Sequence, residues 1–541
     1  MATPAAHAMI ATANPLATDA GYAILQQGGS AIDAAIAAQL VLGLAEPQSS
    51  GIGGGALLVF YDGNRVVTFD GREIAPAAVT PERFLDASGT PLSFQEAAVG
   101  GHSVGVPGAL KVLDLAHRRY GTLPWATLFQ PAIDLARAGF PLSPRLHWRL
   151  AAEHHLGSTE PARSYFYQAD GTPKAVGTLL HNPDYARVLE IIATQGAEAF
   201  YRGPLVEDMV QAVRQHPTRP GDLCAADFAA YTARQREPLQ RPYRGYTVYG
   251  MPPPSSGGIA TLQMLGMLER FPLSQYAPLS VESVHLFTEA GRLAYADRAR
   301  YAADSDFVAV PVDGLLDTAY LATRSQQISL AQTLGVAPAG EPRGASDPPG
   351  GDDRALELPS TSHIAVVDAQ GRALAMTTSI EAPFGSRIMV HGSMLNNQLT
   401  DFSFVPTVQG HPVANRIAPH KRPRSAMAPT LVFDAQGRFT LALGSPGGSS
   451  IINYVAQTLV ALLDWRLDPQ QAVSLPAYGS RNGPTELEAG SALEALVPLL
   501  TARGHQVTLV QATSGLSVIQ RTARGYIGGV DPRREGTVKG L

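Results

Sequence analysis

Two stretches of this chain read as strand, turn and strand around one pentapeptide, Asp-Ala-Gln-Gly-Arg. They are residues 361–380, TSHIAVVDAQGRALAMTTSI, and residues 430–445, TLVFDAQGRFTLALGS. Alternating apolar residues require a pleated, buried surface, and an Asp/Gly turn lets the chain reverse between strands. A chain with two such hairpins has to build a sheet and place them centrally in it. Shared turn chemistry accounts for the repeated pentapeptide more simply than internal duplication does. A third hairpin is expected at Asp62-Gly63-Asn64, after the glycine-rich run GIGGG at 51–55. Helices surround these strands. One is expected over 18–28 with a Thr cap and a terminal Gly, and one from about Ser30 to Ala45, apolar on nearly every side. Helical patterns dominate from about 107 to 330, most clearly over 281–303. The expected class is mixed α/β.

The composition narrows the function. The chain has 541 residues, 45% of them apolar and 16% charged, with a formal net charge of −5. That length suggests two to four domains, and that balance attracts neither nucleic acid nor an anionic membrane. The longest apolar run, residues 35–45, is too short to span a bilayer. The single cysteine, Cys224, rules out a disulfide framework and a cysteine metal cluster, and the 14 histidines show no metal-ligand spacing. No metal or cofactor is expected. The first residues, MATPAAHAMIATANP, carry neither a basic region nor an apolar core. The expected location is cytoplasmic, or periplasmic if the true start lies upstream.

Residues 335–359 break the pattern. GVAPAGEPRGASDPPGGDDRALELP is rich in Pro, Gly and Asp and reads as a flexible linker. Directly after it, Ser360, Thr361 and Ser362 crowd the start of a strand. A nucleophile elbow would read G-x-S-x-G, and none stands here. GSPGGSS, 444–450, lacks the Lys of a phosphate loop, and GIGGG precedes a strand where a dinucleotide site would follow one. A third chemistry remains. If the preceding peptide bond is cut, a Thr at a strand start gains a free α-amine that can serve as base for its own hydroxyl. Such an amine has a pKa of roughly 7.7–8.0, so much of it is neutral near physiological pH. Read alone, the hydroxyl is more often a cap or turn residue.

The segment TSHIAVVDAQGRALAMTTSIEAPFG, 361–385, resembles the signature of the γ-glutamyltranspeptidase family, in which Thr-x-His opens the small subunit. GGSAIDAAIAAQLVLGLAEPQSSGIGGG, FDGREIAPAAVTPERFLD, YRGYTVYGMPPPSSGGI, AYADR, MLNNQLTDFS, KRPRSAMAPT and LGSPGGSSI resemble further family blocks, in the family's order, from about residue 8 to the C-terminus. The resemblance implies a four-layer αββα sandwich of the N-terminal-nucleophile hydrolase type. It implies a precursor cut at Ser360–Thr361 into a large subunit, 1–360, and a small one, 361–541, in one intertwined unit. By the same resemblance, Thr361 is the nucleophile and Ser379 the hydroxyl beside it, where the family usually has Thr. Gly447 and Gly448 would supply oxyanion N–H groups. Arg72 and Ser425 would bind the substrate α-carboxylate, and Asp401, Gln398 and Glu381 would surround its α-amine.

Two departures bear on substrate. Glu381 stands where many members have Asn, and Ala426 replaces the second Ser of a Ser-Ser pair. The segment between Asp401 and Ser425 is also short and lacks a Tyr that could gate the site. The expected activity is self-processing followed by cleavage of γ-glutamyl amides such as glutathione, with water or an amine as acceptor. The alternative is a member retuned to another small acidic amide, such as oxamate or a glutaryl amide of the cephalosporin acylase kind. An unprocessed binding scaffold is the least favoured reading.

Overall fold

The computed structural model describes residues 2–347, 349–355 and 357–541. Two seven-stranded sheets, antiparallel throughout, form its centre. One runs in the order 537–540, 9–12, 362–367, 373–379, 55–61, 66–71 and 234–236. The other runs 3–5, 525–530, 517–522, 439–444, 430–433, 246–250 and 239–243. Each Asp-Ala-Gln-Gly-Arg hairpin is central, as its pattern predicts, but the two lie in different sheets. The turns share their chemistry. Asp368 Oδ1 accepts from the Gln370 and Arg372 N–H groups, and Asp434 Oδ1 accepts from those of Gln436 and Arg438.

Strand alternation sorts the side chains into layers. Ile364, Val366, Leu374, Met376, Leu58 and Phe60 face helices 15–26 and 31–45. Their neighbours Ala365, Val367, Ala373, Ala375, Leu57 and Val59 face the second sheet, in one core with helices 257–268, 281–301 and 451–463. Both faces of the 362–379 hairpin are therefore buried, and helix, sheet, sheet and helix stack in four layers. Small Ala residues on the inner face let the two sheets approach. Gly444 continues this logic, because a Cβ there would lie 2.3 Å from the His363 ring.

Two expectations change. The first helix begins at Pro15, not at Thr18, because Asn14 accepts from the Leu16 N–H and Pro suits a first helical position. Thr18 instead lies inside that helix, bonded to Thr12. The expected linker carries no helix or strand among its described residues (348 and 356 lie outside them), yet its later part is anchored. Gly351 bridges to Val413, Asp353 pairs with Arg424, and Glu357 is buried. Two of its acidic residues, Asp353 and Glu357, answer buried arginines in the fold. No helix among the described residues is long and apolar enough to cross a membrane.

Candidate active site

Strand register assembles one wall of the site. Ser362 pairs with Thr378, Ser379 with Gly55, and Ala56 with Gly71. Extending those ladders by one residue puts Thr361, Ser379, Gly55 and Arg72 in one row across four strands, roughly 14 Å end to end at ordinary strand spacing. Gly55 has no side chain in this row because the Glu73 carboxyl passes 2.5 Å from where its Cβ would be. The second sheet supplies the facing wall. Ser425 precedes strand 430–433, while Gly447 and Gly448 follow strand 439–444, so both flank the open end of that hairpin. The short helical turn 398–401 brings Gln398 and Asp401 in from the side. Arg72, Thr361, Ser379, Glu381, Gln398, Asp401, Ser425 and Gly448 line a single cavity with Glu357 and Leu358. Gly447 adjoins it through Gly448 but is not in its lining.

The three hydroxyls before His363 have separate partners. Ser360 donates to the Gln48 carbonyl, Thr361 Oγ1 donates to Ser379 Oγ at 2.9 Å, and Ser362 donates to the Glu46 carboxylate at 2.7 Å. Ser379 Oγ also accepts from the Glu381 N–H at 2.9 Å. Thr361 is pinned from the other side by Arg534, which donates to its carbonyl at 2.8 Å. Its φ is +106°, a region that a β-branched residue rarely enters. Such backbone costs about 1–3 kcal/mol and persists only where the surroundings enforce it. His363 is not poised as a base. Burial pushes its imidazole down to about 3, and its Nδ1 is bonded to Thr377 at 2.9 Å.

The charges are densely arranged. Arg72 and Asp401 pair with each other, and Arg72 also donates to the carbonyls of Pro423 at 3.1 Å and Arg424 at 2.8 Å. Burial drives the Asp401 carboxyl up to about 6 although Arg72 opposes it, and drives Glu73 to about 8. Glu381 is held well above the ordinary carboxylate range, first by burial and then by Asp401. Gln398 Nε2 donates to Asp401 Oδ2 at 2.8 Å. Two buried acceptors, Asp401 Oδ1 and Gln398 Oε1, have no partner among the described residues. Ser425 Oγ accepts from the Met427 N–H at 3.1 Å.

Glu357 and Leu358 of the segment before Thr361 line this cavity, which measures about 20 Å³. The Leu358 N–H donates to Glu381 Oε1 at 2.9 Å, and Gly448 lies directly under the segment, where a Cβ would fall 2.4 Å from the Glu357 carbonyl oxygen. Glu357 itself is held by Arg298 and Arg424. Sequence reading missed Glu357, Arg298, Arg424 and Arg534 as parts of the site. The second arginine of K-R-P-R-S, beside Ser425, and the arginine that ends AYADR are the signals that could have drawn attention. Among the described residues, one further group could ligate a metal by type, His285, Glu289 and His505. Its atoms are taken up locally: His285 and His505 are bonded to each other at 2.7 Å, and Glu289 binds Arg292 and Thr333.

Comparison with known proteins agrees with this geometry. The family model described as gamma-glutamyltranspeptidase matches residues 17–541. The glutathione hydrolase proenzyme of Bacillus subtilis (strain 168) is 39% identical over 478 residues, covering 86% of this chain and 80% of that protein. The acylase ACY 1 proenzyme of Pseudomonas sp. (strain SE83) is 37% identical, covering 94% and 88%. The crystal structure of a cephalosporin acylase from Bacillus halodurans superposes with a TM-score of 0.87 at 28% identity, over 100% of this chain and 97% of that one. This chain belongs to the γ-glutamyltranspeptidase family and has its N-terminal-nucleophile hydrolase fold.

Proposed function

We propose that this protein is a precursor that cuts its own Ser360–Thr361 bond and then hydrolyses or transfers γ-glutamyl groups through Thr361. In the first step Thr361 Oγ attacks the Ser360 carbonyl carbon. The amide C–N bond breaks, leaving an ester and a free Thr361 amine. Water then attacks the ester, releasing the Ser360 carboxylate and restoring the hydroxyl. The strained φ of Thr361 supports this reading, since that torsion turns about the nitrogen that cleavage frees. In turnover, the new α-amine takes the Oγ proton as Oγ attacks a substrate amide. The carbonyl oxygen becomes an oxyanion beside the Gly447–Gly448 turn, and the departing amine receives the proton. Water or an acceptor amine then attacks the ester. Ser379 orients the nucleophile, as its 2.9 Å bond to Thr361 suggests.

One observation carries the substrate class: the two unpartnered buried acceptors, Asp401 Oδ1 and Gln398 Oε1, next to Arg72. A γ-glutamyl head carries an ammonium and a carboxylate side by side. Its ammonium would meet those two acceptors, and its carboxylate would meet Arg72 and Ser425, opening the Arg72–Asp401 pair. Buried acceptors without partners are costly, and an ammonium supplies the missing donors.

A second reading rests on Ala426 and Glu381. Ala426 removes a hydroxyl from the carboxylate end, and Glu381 adds an acid where burial disfavours its charge. These features suit an acyl group without an α-amine, such as glutaryl, and two of the compared proteins are named acylases. The test is kcat/KM for γ-glutamyl and glutaryl 4-nitroanilides, with wild type and Asp401→Asn. The γ-glutamyl reading expects wild type to prefer the γ-glutamyl compound and Asp401→Asn to lose that preference. A wild-type preference for glutaryl, or an unchanged γ-glutamyl rate in Asp401→Asn, would replace it with the acylase reading.

A further inference from the structure

Arg298 and Arg424 are buried guanidinium groups, their side chains 7% and 1% exposed. Arg298 pairs with Glu357. Arg424 pairs with Glu357 at 3.4 Å and with Asp353 at 3.1 Å. No other carboxylate among the described residues pairs with either one. Both counter-charges therefore come from the short segment that ends at the proposed cut. Two residues further along the same helix, Arg300 also binds that segment, through Asp352 at 2.8 Å.

The two arginines lie outside the acyl cavity, which has Arg72 as its own cation. They line an adjoining cavity of about 440 Å³, together with Ser449 and Arg481. Ser449 follows Gly448 directly, so the proposed oxyanion turn marks the boundary between the two spaces. An amide with its acyl group in the Arg72 cavity and its carbonyl oxygen at that turn would have the arginine-lined cavity on its amine side. Once the segment is cut at Ser360–Thr361 and withdraws, Arg298 and Arg424 lose both counter-charges and open onto that cavity, which favours an anion in their place.

We infer that Arg298 and Arg424 form a second anion subsite, held by Glu357 and Asp353 in the precursor and taken after processing by a carboxylate on the amine side of the substrate amide. The subsite rests on the self-processing reading above. It selects γ-glutamyl peptides, whose leaving group ends in a carboxylate, over simple γ-glutamyl amides. The precursor's own acidic segment blocks it until the cut is made.

The test is equilibrium binding, so it does not depend on which acyl group is turned over. The probes are 5-amino-2-nitrobenzoate and 4-nitroaniline, two amines that differ by one carboxylate, titrated calorimetrically into processed wild type and uncut Thr361→Ala. Processed protein should bind the carboxylated amine about tenfold or more tighter, as expected for a charge-assisted bond. The uncut protein should show no preference. In processed protein, Arg424→Met should lose the preference and Arg424→Lys should keep part of it. Should Arg424→Met fail to fold, the cut-against-uncut comparison decides alone. Equal binding of both amines by cut protein, or equal preference in cut and uncut protein, overturns the subsite. A gel that shows wild type uncut instead overturns the processing reading, and the subsite falls with it.

Discussion

Replacing Gly448 by Ala should slow self-cleavage far more than it destabilises the fold. The new Cβ would stand 2.4 Å from the Glu357 carbonyl oxygen and 2.7 Å from the Leu358 carbonyl carbon and oxygen. All three are backbone atoms, so no side chain can rotate away. Ordinary contact begins near 3.4 Å, so the segment has to retreat by about 1 Å. A misplacement of that size can cost about 10²-fold in rate where geometry controls a reaction. The fold pays separately, because Gly448 has φ +60°, and a left-handed Ala costs roughly 1–2 kcal/mol. In a chain this long that is a fall of only about 1–2 °C in Tm. The assay is a time course of precursor and fragments on a denaturing gel, beside a thermal melt. Cleavage about 100-fold slower with near-normal melting is expected. Cleavage at the wild-type rate would mean that the segment does not rest on the 447–448 turn when it reacts.

Further outcomes follow from the same geometry. Ser379→Ala removes the 2.9 Å acceptor of the Thr361 hydroxyl, a bond worth about 0.5–1.5 kcal/mol. Cleavage should slow by about tenfold, and Ser379→Thr should restore it; if Thr does no better than Ala, the hydroxyl is not what matters. Glu73 is pushed up to about 8 in the fold. Stability drawn from its neutral form is full below its unfolded value of about 4.3 and is lost as pH rises through about 8. In the uncut Thr361→Ala background, Glu73→Gln should therefore flatten the loss of stability between pH 5 and 8, which is on the order of a few kcal/mol and is followed as Tm against pH. Parallel pH curves for the two proteins would show that Glu73 ionises normally.

Much of the fold was legible because it depends on local pattern. Alternation placed the 362–379 and 430–444 hairpins, and an all-round apolar run placed helix 31–45, whose start the fold caps with Ser30 and its reciprocal partner Asp33. Thr18 misled because its hydroxyl is used inside the helix, while Asn14, followed by Pro15, was the stronger cap. That the hairpins belong to two sheets was not legible from their sequences, since each is buried on both faces and neither announces its partner. At the site, Thr361, Ser379 and Arg72 of the four-strand row were named in advance, and Gly55 between them was not. What sequence could not show is that Arg72 and Asp401 pair with each other. Nor could it show that an acidic, proline-rich stretch would sit down upon buried arginines. Composition makes Asp352, Asp353 and Glu357 look like solvated linker, and only the long-range placement of Arg298, Arg300 and Arg424 gives them partners.

The central claim is that Thr361 cuts the bond before it and then carries the activity. Intact mass and N-terminal sequencing of freshly purified protein test it most directly, with Thr361→Ala alongside. Wild type should resolve into residues 1–360 and 361–541, the second beginning Thr-Ser-His, while Thr361→Ala stays a single inactive chain. A Thr361→Ala protein that is still cut at this bond and still turns over amides would contradict the account.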